Sequence, residues 1–377
     1  MLTNLFCELL RDGPLDWSRA SMLNDPGAFE AAEQQGVHLL IADRLNRASG
    51  ASGGLRAGSF AMFDSALRQA AATEPLRERE MRAVLEDLSA AGVHPLLFKG
   101  AALAFTHYAS SVLRPRADVD LLVLSGEVPL VCRVLEQRGY SRPPFVTGTL
   151  VSSQVPYIKR DAFGVQHSYD VHWKISVPQV FANLLNGQEL ADASIAVRTL
   201  GNVRSPSAVH ALAIACIHRV AHHHGRDRLI WLYDIHLLGE RLSPAEVEQF
   251  VNLAARKRIS AVCHRSLALA QQKFATILPA PLLEALREVE ARSGGEPSAR
   301  FLRPDLRKVD VLLSDVTALP DWPARARLLK EHVFPPAAYM REAYGISGRG
   351  WLPALYVWRF AAGARRWFRP PEGPVKP

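Results

Sequence analysis

Residues 114–124 read RPRADVDLLVL, with two carboxylates one residue apart in what is otherwise an apolar strand. Residues two apart in a strand point the same way. Asp118, Asp120 and Leu122 therefore share one face, while Val119, Leu121 and Val123 share the other, which can bury. Two carboxylates a few ångströms apart repel, and one holds a proton unless a cation sits between them. Oxygen ligands on a rigid strand suit Mg²⁺, with Mn²⁺ as a substitute, the remaining ligands coming from water and phosphate.

A second segment repeats this logic. In YDVHWKI, Tyr169, Val171, Trp173 and Ile175 are expected on one face and Asp170, His172 and Lys174 on the other. If that strand lies beside the first, Asp170 completes a metal site with Asp118 and Asp120. Three carboxylates can hold two metal ions in the arrangement that assists in-line phosphoryl displacement. Just upstream, LLFKGAAL reads as a strand, a Lys99-Gly100 turn and a helix start at Ala101. Backbone N–H groups at a helix N-terminus attract phosphate, and glycine permits close approach. Arg114 and Arg116, just ahead of the aspartates, are candidates to balance phosphate charge.

The flanks of this region are helical in pattern. Residues 1–92 are expected to form a helical N-terminal region, with a start signal at Asp25-Pro26, a loop over 51–59, a kink or boundary at Pro75 and a stop at Gly92. Residues 93–204 alternate strand and helix, with a helix closing at Gly139 and a turn at Ala162 to Gly164 between two strands. Residues 205–377 return to helices, the first opening on a Ser205-Pro206 cap. The fold class expected is α+β: a small mixed β-sheet core between helical N-terminal and C-terminal regions.

The motifs FKGAAL, RPRADVDLLV and YDVHW resemble the uncharacterised nucleotidyltransferase family (NTP transferase 5 type) of the DNA polymerase β-like superfamily. The matching positions are Lys99, Gly100, Arg116, Asp118, Asp120, Asp170, His172 and Trp173, and the later segment HHHGRDRLIWLYDIHLL, with Asp234, is similar to the family's helical segment. The turn here reads Gly100-Ala101 where the superfamily usually has Gly-Ser or Gly-Gly. The resemblance implies transfer of a nucleoside monophosphate from a nucleoside triphosphate to an acceptor, with release of pyrophosphate. It implies metal binding by Asp118, Asp120 and Asp170, and triphosphate binding around Gly100. His172, Lys174, His222 and Asp234 are candidates for the substrate pocket. The alternative on the same fold is a non-catalytic module that binds a nucleotide or a partner.

Composition narrows the remaining classes. The chain has 377 residues, a formal charge of +8 and four widely spaced cysteines with no C-x-x-C pair. Sparse lysine beside abundant arginine and alanine points to compositional bias ahead of an anionic partner, so nucleic acid is not the favoured acceptor. The cysteines suggest a reduced, cytoplasmic protein, no secretory signal opens the chain, and no apolar run reaches spanning length. The histidines at 218 and 222–224 lack a zinc-protease pattern, and capping or packing is their expected use. The C-terminal YVWRFAAGARRWFR mixes tryptophan and arginine, and its aromatic face is expected to pack on its own domain.

Overall fold

The computed structural model describes residues 2–11, 13–51, 60–143, 148–221, 227–346 and 351–368. The N-terminal part is all helix: α1 (Leu2–Leu9), α2 (Trp17–Ala20), α3 (Pro26–Gln34), α4 (His38–Ala51) and α5 (Ala61–Ala90). The start signal at Asp25-Pro26 holds, since the Asp25 side chain accepts from Gly27 N–H at 2.9 Å and Pro26 occupies the first turn. Pro75 marks no boundary: α5 runs through it for 30 residues. Burial of one face of α5, with Met81, Val84, Leu85 and Leu88 in a core, outweighs the backbone hydrogen bond a proline forgoes. Of the loop expected over 51–59, Ala51 instead ends α4, and residues 52–59 lie outside the described residues.

The sheet region follows as β1 (Leu96–Leu97), α6 (Lys99–Thr106), β2 (Val119–Leu122), α7 (Val128–Gln137), β3 (Gln154–Arg160), β4 (Gln166–His172), α8 (Gln179–Ala182), α9 (Gly187–Asp192), β5 (Ile195–Ala196) and β6 (Arg204–Ser205). The six strands lie in the order β3-β4-β2-β1-β6-β5. β2 runs parallel to β4, β1 parallel to β6, and the other neighbours are antiparallel. The β3–β4 turn falls where the sequence places it. Asp161 accepts from Phe163 and Val165 N–H, each at 2.9 Å, and Gly164 takes a φ of +79° that L side chains rarely adopt.

The C-terminal helices are α10 (Ala208–Ala221), α11 (Leu229–Glu240), α12 (Pro244–Lys257), α13 (Ser260–Phe274), α14 (Leu282–Arg292), α15 (Lys308–Ala318), α16 (Trp322–Val333), α17 (Ala337–Ala343) and α18 (Leu352–Phe368). Ser205 is not the cap of α10. It ends β6, and the helix opens three residues later, where Ser207 Oγ sits 2.8 Å from His210 Nδ1. Together these elements make the α+β arrangement, a small mixed sheet between helical flanks.

Strand alternation sorts side chains between two cores. Leu97, Leu121, Val123, Tyr157, Tyr169 and Val171 point toward α5 and α7. Leu96, Phe98 and Leu122 point the other way, into the core of α10 and α12–α14. Ile175 departs from the expected face and joins that second core, because β4 ends at His172 and the period of two ends with it. A third cluster joins α1, α3 and α4 to Leu113 and to Leu229–Leu232 at the start of α11. All four cysteines are buried and free, and no described helix is long and apolar enough to cross a membrane.

Candidate active site

The strand register brings the acidic residues together. β2 and β4 pair in parallel with Asp120 opposite Asp170 and Leu122 opposite His172, so aligned side chains emerge on the same face. Asp118 stands one residue ahead of β2, and all three aspartates line one cavity of about 390 Å³. Candidate ligand atoms of Asp120, Asp170 and His172 lie within 4.8 Å of one another. Asp118 lies outside that tightest group, and His172, read from the sequence as a pocket residue, lies inside it.

Lys99 supplies the local cation. Its Nζ donates to Asp120 Oδ1 at 2.8 Å and lies 3.3 Å from His172 Nε2, which is itself 2.8 Å from the same Asp120 oxygen. Lys99 opens α6 with a φ of +53°, a left-handed conformation unusual for a lysine. Such strain persists only where surrounding contacts impose it.

Charge distribution follows from this geometry. Burial alone would raise Asp120, but the Lys99 ammonium and the His172 hydrogen bond outweigh it and hold Asp120 well below the usual carboxylate range. Asp118 is pushed up to about 6, first by burial and then by Asp120. Asp170 is pushed up to about 7 by burial and by both other aspartates, against a hydrogen bond from Gln154. Burial and then Lys99 lower His172 to about 4, leaving it neutral near pH 7. Three converging carboxylates, two of them resisting ionisation, form a site that a divalent cation would stabilise. A neutral imidazole beside two carboxylates suits Mg²⁺ less than it suits Mn²⁺, while the three carboxylates suit both.

The two arginines sit in the pocket wall already paired. Arg114 makes a buried fork to Asp234 of α11, with Nε and Nη2 at 2.9 and 2.8 Å from the two carboxylate oxygens. Tyr108 donates to the same carboxylate at 2.7 Å. Arg116 pairs with buried Glu74 of α5, donates to Ser111 O at 3.1 Å and stacks on Phe105. Both guanidiniums thus line the cavity while paired with a buried carboxylate. Gly100 also has a different reason to be glycine: a Cβ there would meet Arg114 Nη2 at 2.9 Å.

Other expected residues divide. Ala101 lines the cavity beside Gly100, and the opposite wall is Ala211, Ile214, Ala215 and His218 of α10 with Trp231 and Asp234 of α11. Lys174 does not reach the cavity: past the end of β4 it turns away and donates to Thr149 O at 3.1 Å. His222, with His223 and His224, lies outside the described residues. The sequence reading missed Glu74, whose partner is 42 positions away, and Gln154, which stands opposite His172 in the hairpin and donates diagonally to Asp170. Only a register argument could have found Gln154.

Comparison with known proteins agrees with this geometry. Residues 24–288, the greater part of the chain, match the family model described as uncharacterised nucleotidyltransferase. No curated protein matches. The chain belongs to this nucleotidyltransferase family.

Proposed function

We propose that the protein is a metal-dependent nucleotidyltransferase, moving a nucleoside monophosphate from a nucleoside triphosphate to a hydroxyl or phosphate of an acceptor and releasing pyrophosphate. The observation that carries this reading is the parallel register of Asp120 with Asp170, which faces both toward one cavity with Asp118. Asp118, Asp120 and Asp170 would hold Mg²⁺ or Mn²⁺, with His172 an additional ligand for Mn²⁺. A bound divalent cation would neutralise charge on the reacting phosphate.

The protein's own groups do the rest. The acceptor oxygen attacks the α-phosphorus, the bond to the bridging oxygen breaks, and pyrophosphate leaves with its electron pair. Asp170, beside the cation it would help to hold, is placed to take up the acceptor hydroxyl proton. The start of α6, Lys99 to Ala101, would meet the triphosphate with backbone N–H groups. Arg114 and Arg116, each held by a carboxylate, would shape this wall more than add charge to it. In this reading residues 93–204 are the catalytic core, between a helical N-terminal region at 1–92 and a helical C-terminal region at 205–377. The acceptor is a small molecule, a peptide or a protein.

The test is incubation with each triphosphate, Mg²⁺ and candidate acceptors, scoring pyrophosphate release and an added monophosphate by mass spectrometry. Asp118→Ala and Asp120→Ala should each lose on the order of 10³-fold in turnover while keeping the wild-type circular dichroism spectrum. Full turnover in both variants would end the proposal. Metal-dependent nucleotide binding without turnover on any acceptor would favour the non-catalytic alternative.

A further inference from the structure

The C-terminal helix α18 is turned inside out for a helix of a water-soluble chain. Val357 is 71% exposed, Trp358 58% and Phe360 68%, and Trp351 just ahead of the helix is 68% exposed. Ala354 and Ala361 are exposed as well, so 354, 357, 358 and 361 make an apolar stripe at helical spacing. The expected packing of this aromatic face on its own domain is therefore incomplete. Inward contacts come from other positions: Tyr356 donates to Pro335 O at 2.6 Å, and Arg359 lies over the Tyr339 ring. Trp358 meets the Tyr344 ring in a perpendicular contact, centroids 5.4 Å apart, and is still 58% exposed.

The patch continues onto neighbouring elements. Leu313 of α15, Trp322 of α16 and Phe334 are all more than half exposed. A cavity of about 620 Å³ opens between α15, α16 and α18, with Leu312, Leu329, Val333, Trp358 and Phe360 in its wall. Single exposed apolar side chains are ordinary, but contiguous ones mark a contact surface.

Charge selects the occupant. Residues 308–369, from the start of α15 past the end of α18, contain ten lysines and arginines against five aspartates and glutamates, a net +5 in a chain whose total is +8. More than half of the molecule's excess positive charge thus accompanies its exposed tryptophans. An apolar stripe in a segment rich in basic residues matches the boundary of an anionic bilayer, where aromatic rings enter the headgroup layer and arginines meet lipid phosphates. Nucleic acid would use the charge and the rings but gain little from Val357 and the alanines. A second copy of this chain would bring +5 against +5. We propose that α18 and the adjoining ends of α15 and α16 form a docking surface for an anionic lipid membrane, on which the protein lies without crossing it.

The experiment is flotation of the full chain with phosphatidylcholine vesicles, with and without about one third phosphatidylglycerol, with tryptophan emission read in parallel. The proposal expects binding to the anionic vesicles roughly tenfold tighter or more, a blue shift of tryptophan emission, and weakening by salt. Val357→Asp, on an exposed position that should not disturb folding, should reduce vesicle binding at least tenfold. Trp351→Ala is a second exposed change that should weaken binding and reduce the blue shift. Equal binding to both vesicle types, or wild-type binding by both variants, would overturn the proposal. So would tight, salt-sensitive RNA binding without vesicle binding, or concentration-dependent dimerisation abolished by Val357→Asp in place of vesicle binding.

Discussion

Gly100 has no room for a side chain because the Arg114 guanidinium occupies the space beside it. The end of a long side chain can usually swing aside at little cost, but this one is held by a two-point ion pair to Asp234, and Tyr108 shares that carboxylate. Gly100→Ala must therefore strain the pair or displace α6. Loss of about 1–3 kcal/mol of stability is expected by chemical denaturation, with a larger fall in turnover because Lys99 is the neighbouring residue. A variant with unchanged stability and turnover would show that the close approach has no consequence. The residue scale is also where the sequence was most and least readable. Asp118, Asp120, Asp170 and His172 could be placed on one face because a strand's period of two is a local property. The engagement of Arg114 and Arg116 by Asp234 and Glu74 could not, because their partners stand 120 and 42 positions away and nothing local marks them.

The later elements of the C-terminal region, α15 and α16, also reach back to the sheet region. Glu331 of α16 accepts from the N–H groups of Leu150 and Val151, at 2.9 and 3.2 Å, and so holds the segment that leads into β3 and Gln154. Asp315 of α15 is buried and accepts from Gln179 N–H at 2.6 Å, where α8 begins. Burial pushes the Asp315 carboxyl up to about 7, with the Gln179 hydrogen bond opposing. An unfolded aspartate ionises near 3.9, so between about pH 4 and 7 the folded chain keeps a proton that the unfolded chain releases. Its contribution is fully favourable below pH 4 and is lost as pH rises through 7. Asp315→Asn should flatten part of the decline in melting temperature between about pH 4 and 7, and an unaltered profile would contradict the assignment. Element boundaries were legible where a cap or turn residue set them, as at Asp25-Pro26 and Gly164. They were misread where tertiary burial outweighed the local signal, as at Pro75 within α5. Ser205 shows the other failure: a good cap residue was claimed by an inner strand of the sheet, since β6 pairs with β1 and β5.

At the scale of the molecule, α11 ties the parts together. Leu229, Ile230, Trp231 and Leu232 pack with the N-terminal helices, while Ile235 and Leu238 pack with α10 and α12–α14. Trp231 and Asp234, from the same helix, line the cavity that holds the three aspartates. Helices remote in sequence thus support one wall of the site. Ile41 of α4 is wholly buried in the N-terminal cluster, and Ile41→Ala should cost about 2–5 kcal/mol. Helix content and the cavity wall should melt together in that variant, since α11 belongs to both cores. Two separated transitions, with the sheet region surviving the first, would show instead that the N-terminal helices are dispensable to the site. The helix–sheet–helix plan was legible as a change of hydrophobic period along the chain. The sharing of α11 between cores was not, because periodicity gives the face of a helix and not its neighbour.

The account rests on one physical claim, that Asp118, Asp120 and Asp170 converge to bind a divalent cation. Mn²⁺ is paramagnetic, and its binding can be followed by electron paramagnetic resonance without knowing the nucleotide or the acceptor. The wild-type chain should remove free Mn²⁺ signal on titration, Mg²⁺ should compete, and Asp120→Asn and Asp170→Asn should each weaken binding by roughly tenfold or more while remaining folded. Equal Mn²⁺ binding by the wild type and both variants would contradict it.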